Sequence, residues 1–213
     1  LVTAMALTAC FALTACDFNK KAEAETFVSI DINPSIEFTL DKNNKVLSVY
    51  GANEDGQVLL YGEEGIVGAD IEVATAKVLE LAKELGYVNE NNTVVQTTVS
   101  SDRNGKDEAV YNKINAQVEA SAEKLNLSLK CSTETSYSLN RRLEQLKAQY
   151  PDSAAIQGLT PSKLKLVISA AENGEITIEA AAEMNNAELI KAVSVSHEKA
   201  EAFATEAYKQ AKA

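Results

Sequence analysis

Apolar and polar residues alternate through the N-terminal part of the chain, on both sides of an Asn-Pro pair. The apolar positions are Val28, Ile30 and Ile32 before the pair and Ile36, Phe38 and Leu40 after it. Period-two alternation predicts strands that each bury one face. Proline lacks the N–H that a sheet ladder needs, so we expect Pro34 at an edge, a bulge or a sharp bend.

Turn-forming residues divide the next stretch into short segments. Residues 41–45 and 53–56 are predicted turns, and residues 46–50 and 58–61 are the predicted strands that follow them. Together with the two strands around Pro34, these segments make an N-terminal antiparallel meander.

Two β-α units are predicted after the meander. Apolar residues at helical spacing predict helices over about 70–85 and 107–125. Residues 93–100 are rich in Val and Thr, and residues 127–133 alternate, so both segments are predicted strands. We therefore expect an α+β fold over 27–135, in which the meander is extended by β-α units into a mixed sheet covered by helices.

The pattern becomes all-helical in a C-terminal part, residues 136–213. Thr160-Pro161 is typical of a helix start, because an N-cap residue precedes a proline at the first helical position. The last predicted helix begins after Asn185 or Asn186 and is polar. It carries His197, the one histidine of the sequence, which we expect in solvent.

The N-terminal residues 1–16 are uncharged, and the polar residues 17–26 resemble a tether. An apolar run of this length is shorter than the roughly 20 residues of a spanning helix and suits a signal peptide. The sequence LTAC at 13–16 resembles a bacterial lipobox, which would make Cys16 lipidated; Cys10 matches too, but lies inside the apolar run. The alternative is the end of a transmembrane helix, because the chain starts with Leu and lacks a basic leader. Either anchor predicts the extracytoplasmic face of the cell membrane.

Charge and motif content narrow the function classes. The net charge of −11 argues against nucleic acid and anionic lipid headgroups, which both need clustered Lys and Arg. Cys131 has no partner in the processed chain, so no internal disulfide is expected, and a buried position on a strand is predicted for it. No phosphate loop, dinucleotide fingerprint, Gly-x-Ser-x-Gly elbow or zinc-ligand cluster occurs in the sequence. We therefore expect no cofactor and no metal, and a secreted enzyme is disfavoured.

The sequence DINPSIE at 31–37 resembles the D-[VI]-N-P-S-[IV]-E signature of the extracytoplasmic domain of RsgI-like anti-sigma factors. Weaker similarity continues through Leu85-Gly86-Tyr87 to residues 159–164, where Ser162 stands at a position that is often Gly in the family. The resemblance covers roughly residues 27–193. It implies an extracytoplasmic signalling module.

The resemblance also implies self-cleavage between Asn33 and Pro34. An asparagine side-chain amide can attack its own main-chain carbonyl and close a succinimide, which releases the following nitrogen. Proline at that position closes the competing deamidation route, because the attacking backbone N–H does not exist. Asp31, Ser35 and Glu37 are within reach along the chain as proton donors or acceptors, and the sequence does not rank them.

Two functional hypotheses therefore stand. The first is a membrane-tethered RsgI-like module that self-cleaves at Asn33–Pro34 into a non-covalent two-piece sensor. RsgI-like proteins bind their sigma factor through a cytoplasmic domain that precedes the membrane segment, so no direct sigma-factor contact is expected from these residues. The second is a free-standing lipoprotein that binds a cell-wall or protein ligand, with Asn33–Pro34 as a structural bend only.

Overall fold

The computed structural model describes residues 22–89, 94–102, 105–132, 137–172 and 175–212, apart from the side chains of 137, 138 and 201–212. The lipidation candidates Cys16 and Cys10 lie outside the described residues. Five strands and eight helices occur within these ranges. In chain order they are β1 (Thr26–Asp31), β2 (Ser35–Leu40), β3 (Val46–Gly51), α1 (Glu54–Leu60), α2 (Ile71–Glu84), β4 (Val94–Ser101), α3 (Lys106–Leu125), β5 (Lys130–Ser132), α4 (Tyr137–Gln149), α5 (Ala154–Gln157), α6 (Pro161–Ala171), α7 (Ile178–Glu183) and α8 (Asn186–Lys212).

The strands form one mixed sheet in the order β3-β2-β1-β4-β5. All neighbouring pairs are antiparallel except β4 and β5, which are parallel. The predicted α+β fold is thereby confirmed. Pro34 lies in the tight turn between β1 and β2, as expected for a residue that cannot donate to a ladder. β1 is paired along both edges and is the middle strand of the sheet.

Alternating side chains of β1 and β2 enter two different cores. Val28, Ile30 and Phe38 pack with α2 and α3 on one face. Phe27, which points the other way, packs with α6 and α8 on the opposite face and is fully buried. Because strand side chains alternate between faces, both faces of the sheet are covered by helices.

The predicted turn at 53–56 and the predicted strand at 58–61 are both wrong, because residues 54–60 form α1. Asn53 is the N-cap of α1, and its Oδ1 accepts a hydrogen bond of 2.9 Å from the Gly56 N–H. Of the apolar residues in the segment, Leu59 is 1% exposed whereas Val58 is 57% exposed. The buried Leu59, the partly buried Leu60 and the Asn53 cap stabilise this short helix, and the apolar run alone did not distinguish it from a strand.

The remaining predicted elements lie close to their observed positions. β5 is shorter than the predicted strand, and Cys131 within it is half-buried, with its Sγ 2.7 Å from Thr97 Oγ1. Burial raises the pKa of the Cys131 thiol. Thr160 caps α6 by accepting from the Lys163 N–H, with Pro161 in the first turn. Within the described ranges, none of the helices is both long and apolar enough to cross a membrane.

Candidate functional site

Asn33 lies at the tip of the turn between β1 and β2, and its backbone is in the left-handed region with φ +54°. The Ile32 N–H closes the turn by donating to the Pro34 carbonyl at 2.9 Å. Residues other than glycine rarely adopt this conformation, although asparagine tolerates it best, and a following proline favours an extended backbone. The amino side of the Asn33–Pro34 bond is therefore held in a strained conformation.

Asn53 holds this turn from the start of α1. Its Nδ2 donates to Asn33 Oδ1 at 3.1 Å, and its Oδ1 accepts from the Ser35 N–H at 3.1 Å. Among the described residues, Nδ2 of the exposed Asn33 has no hydrogen-bond partner. Asn53 was predicted to lie in a turn and was not among the predicted site residues. The available signal was its suitability as an N-cap, with acidic residues directly after it.

Asp31 and Ser35 face each other as the register pair at the base of the turn. The Ser35 hydroxyl donates to Asp31 Oδ1, and the Ser29 hydroxyl donates to Oδ2 at 3.0 Å. Lys165 of α6 places its Nζ 3.4 Å from the same Oδ1. Two of the three predicted assistants therefore lie at the base of the turn that contains the Asn33–Pro34 bond.

Glu37, the third predicted assistant, is opposite Ser29 in the sheet and 2% exposed. Its Oε1 is 3.4 Å from Lys165 Nζ, while Oε2 accepts from the Ser169 hydroxyl and is 3.5 Å from His197 Nε2. Burial by itself would raise the pKa of Glu37. The contacts with His197, Lys165 and Ser169 outweigh it and hold the pKa below its ordinary value. Glu37 is therefore ionised and connects the sheet to α6 and α8.

His197 is buried, so its predicted position in solvent is wrong. It is 1% exposed, its Nδ1 lies 3.1 Å from Ser48 Oγ, and its ring stacks on Tyr50 with centroids 5.0 Å apart. α8 packs across β3 and β2, which makes its sheet-facing side a buried one. The signal that could have found this is helical spacing, since His197 follows Ile190 and Val193 on one face.

Glu37, His197 and Ser48 stand in the order acid, imidazole and hydroxyl, as in a hydrolase triad. Ser48, however, is 1% exposed, and its Oγ is also 2.6 Å from Thr39 Oγ1. A substrate carbonyl could not reach this hydroxyl. The arrangement is a buried polar cluster between the sheet and α8.

A cavity of about 540 Å³ opens beside the turn. Its lining includes Asp31, Asn33, Ser35, Asn53, Arg142 and Lys165. Within the described part of the chain, no cluster of His, Cys, Asp and Glu could hold a metal ion. The distinguishing feature of this region is therefore the strained asparagine and the polar groups around it.

The sequence profile of the anti-sigma factor RsgI-like central domain matches residues 25–167. The chain belongs to this family. Anti-sigma-I factor RsgI9 of Acetivibrio thermocellus is 36% identical over 90 residues, which are 41% of this chain and 13% of the relative. Anti-sigma-I factor RsgI6 of the same organism is 28% identical over 178 residues, or 81% of this chain and 22% of the relative. Anti-sigma-I factor RsgI of Bacillus anthracis is 27% identical over 105 residues, which are 48% of this chain and 24% of the relative.

The match to the RsgI-like family confirms the resemblance read from residues 31–37, and the matched region contains the Asn33–Pro34 turn, α1 and Lys165. His197 lies beyond its end. The chain spans less than a quarter of the length of these three relatives.

Proposed function

We propose that this RsgI-like domain cuts its own chain at Asn33–Pro34 and serves as the extracytoplasmic sensor of a membrane-tethered anti-sigma regulator. The observation that carries the proposal is the turn, in which a left-handed Asn33 keeps its Nδ2 unpartnered among the described residues, next to a proline. Strain at that bond and a fixed side chain both favour an intramolecular attack.

The reaction is a succinimide closure. Asn33 Nδ2 loses a proton and bonds to the main-chain carbonyl carbon of the same residue, and the bond from that carbon to the Pro34 nitrogen breaks. The Pro34 nitrogen takes up a proton and becomes a free secondary amine. Water later opens the succinimide at the new C-terminus. Deamidation through the next backbone nitrogen does not compete, because Pro34 has no N–H.

In this proposal the three predicted assistants have different roles, which follow from their positions. Asp31 and Ser35 adjoin the bond and share a hydrogen bond, so they are the candidates for moving the proton from Asn33 Nδ2 to the Pro34 nitrogen. Glu37 is engaged with Lys165 and Ser169, and we assign it to holding the helices rather than to the proton transfer.

A cut at Asn33 would leave β1 bound without a covalent link. β1 is paired with both β2 and β4, and Phe27, Val28 and Ile30 are fully buried. Residue Glu25, just before the strand, is 3.5 Å from Lys106 Nζ. Two ladders and three buried apolar side chains favour a stable two-piece protein over release of the N-terminal piece.

The proposed anchor is the N-terminal segment, with Cys16 as its lipidation site or with residues 1–16 as the end of a membrane helix. Signals received by the extracytoplasmic domain would reach a sigma factor through other parts of such a regulator. This assignment is supported by the names of the relatives, which are anti-sigma-I factors.

The test is to synthesise the full 213-residue chain in a cell-free system and follow its mass over time. We expect fragments 1–33 and 34–213 under denaturing conditions, and one species in native gel filtration in mild detergent. Asn33→Ala should remain one intact chain with the same circular dichroism spectrum. Asn44→Ala is the matched control, because Asn44 also has a left-handed backbone, with φ +65°, but precedes a lysine. Wild-type chain that stays intact after long incubation would refute self-cleavage.

An intact wild-type chain would favour the second candidate function, a lipoprotein module that binds a cell-wall or protein ligand. The observation that favours it is a groove of about 1580 Å³ between β3, the segment after α1, and α8. Apolar side chains that line it include Leu60, Ile66, Ile176 and Val195. A largely apolar groove with a few polar groups is the usual form of a ligand site.

A further inference from the structure

We infer that Asn53 is a positioning residue of the cleavage reaction, which fixes and polarises the attacking carboxamide of Asn33. The inference rests on the proposed self-cleavage at Asn33–Pro34. It starts from one geometric fact: the Asn53 carboxamide hydrogen-bonds to a residue on each side of the bond to be cut. Its Nδ2 reaches the Asn33 side chain at 3.1 Å, and its Oδ1 accepts from the Ser35 backbone at 3.1 Å.

Close packing holds Asn53 in this position. The Ala52 N–H donates to the Ser35 carbonyl at 2.9 Å, next to the turn. A Cβ on Gly56 would lie 2.4 Å from that same carbonyl oxygen, so the start of α1 touches the turn directly. Gly51 is equally close to α1, where an added Cβ would lie 2.3 Å from the Gln57 nitrogen. Asn53 therefore has little freedom to move away from Asn33.

The bond from Asn53 acts on the attacking group in two ways. An N–H donated to Asn33 Oδ1 withdraws electron density from the carboxamide, which makes loss of a proton from Nδ2 easier. It also fixes which end of the amide is the oxygen, so that Nδ2 is the end left available for attack. Holding a reacting group in a productive orientation and stabilising its developing negative charge are the two effects expected to accelerate such a step.

Helix capping does not account for the amide at this position. A cap needs only an acceptor oxygen for the Gly56 N–H, and the caps of α5, α6 and α7 supply it with hydroxyls, from Ser153, Thr160 and Thr177. The Nδ2 of Asn53 has no role in the cap. It is the one part of the side chain that serves Asn33.

The experiment separates the role of Asn53 as a helix cap from its role as a hydrogen-bond donor to Asn33. Asn53→Asp and Asn53→Ser both keep an oxygen for the Gly56 N–H and both remove the N–H that reaches Asn33. We expect thermal midpoints close to that of the wild type and cleavage of the full chain slowed by roughly tenfold or more, the effect of losing one hydrogen bond in the transition state. Asn185→Asp is the control, because Asn185 caps α8 through a bond of 3.0 Å from the Glu188 N–H and lies away from the turn.

A pH profile tests the donor itself. The carboxyl introduced by Asn53→Asp gains an O–H when it is protonated, and that O–H can donate to Asn33 Oδ1. The ratio of its cleavage rate to the wild-type rate should therefore rise as the pH falls below about 4, because the backbone N–H groups of Ser35 and Gly56 favour the charged carboxylate, whereas the ratio for Asn53→Ser should stay constant. Rates are compared only where circular dichroism shows all variants folded.

The outcomes are distinct from those of the parent proposal. A wild-type chain that does not cleave refutes the proposed function. A wild-type chain that cleaves, with Asn53→Asp and Asn53→Ser cleaving at its rate, overturns the role of Asn53 alone. An Asn53→Asp ratio that stays constant while NMR shows the introduced carboxyl becoming protonated would also overturn it, by reducing Asn53 to a structural part of the turn.

Discussion

Lys165 joins the turn to the buried polar cluster, because its Nζ lies 3.4 Å from the carboxylates of both Asp31 and Glu37. Burial by itself would lower the pKa of Lys165, but the two carboxylates outweigh it and raise the pKa. The lysine is therefore charged across the neutral range. A buried ion pair contributes little net stability compared with apolar residues, yet removing one partner leaves the other uncompensated.

We predict that Glu37→Gln destabilises the protein by about 3 kcal/mol at pH 7, the lower end for breaking a buried pair, because Lys165 keeps Asp31. The measurement is urea unfolding followed by circular dichroism. Glu72→Gln is the control, since the Glu72–Lys113 pair is partly exposed and should contribute less than about 1 kcal/mol. Equal effects of the two substitutions would contradict the assigned importance of the buried cluster.

Glu37 should also make the stability of the protein depend on pH. The folded-state pKa of Glu37 lies below its ordinary value of 4.5. Its contribution to stability is therefore fully present above that value and is lost as the pH falls through the lower folded-state pKa. Between pH 5 and pH 3 the urea midpoint of the wild type should fall more steeply than that of Glu37→Gln. Parallel curves would show that Glu37 does not gain its charge stabilisation in the folded state.

At the scale of elements, β1 is the strand that connects the two hydrophobic cores on the two faces of the sheet. Its side chains enter both cores, and its ladders join the meander to β4. α1 then sets the geometry of the turn that follows β1, through Asn53. A segment predicted as a turn followed by a strand is therefore the helix that positions the candidate site.

We predict that Ile32→Ala, directly after β1, costs about 2–5 kcal/mol of stability, the range for deleting a buried isoleucine side chain. Ile32 is 9% exposed and belongs to the core that faces α2 and α3. Val94→Ala is the matched control on β4, because Val94 is 51% exposed and should change stability little. A thermal midpoint unchanged by Ile32→Ala would mean that the residue directly after β1 is not packed as observed.

At the scale of the whole molecule, the C-terminal helices complete the core of the sheet rather than standing apart from it. Phe27 and Glu37 are both strand residues, and both are covered by α6 and α8. The family profile ends at residue 167, within α6, and so leaves out α8. Part of the cover over the matched region therefore lies beyond that region.

We predict that a chain ending at residue 135 does not fold cooperatively, although it contains all five strands described here. The truncation exposes Phe27 and leaves Glu37 without Lys165, Ser169 and His197, so one face of the sheet loses its apolar cover and its charge partners. The expected observations are no cooperative thermal transition and poor dispersion of amide NMR signals. A cooperative transition would establish residues 27–135 as an independent domain.

The sequence by itself determined the features that depend on neighbouring residues. Alternation around Pro34 gave β1, β2 and the bend between them, because proline cannot donate to a ladder. Helical spacing gave α2 and α3, and the Thr160-Pro161 pair gave the start of α6. The DINPSIE motif at 31–37 identified the family and the candidate bond. These features each depend on residues that are adjacent or a few positions apart in sequence.

Tertiary structure decided the features that depend on distant residues. Asn53 became a site residue only because α1 packs against the turn, 20 residues away in sequence from Asn33. His197 is buried because α8 crosses β3, and the ionised Glu37 is paired with Lys165, 128 positions further along. A polar residue looks the same in sequence whether its partner is water or a distant side chain. Burial and pairing depend on the packing of helices against the sheet, which local patterning does not specify.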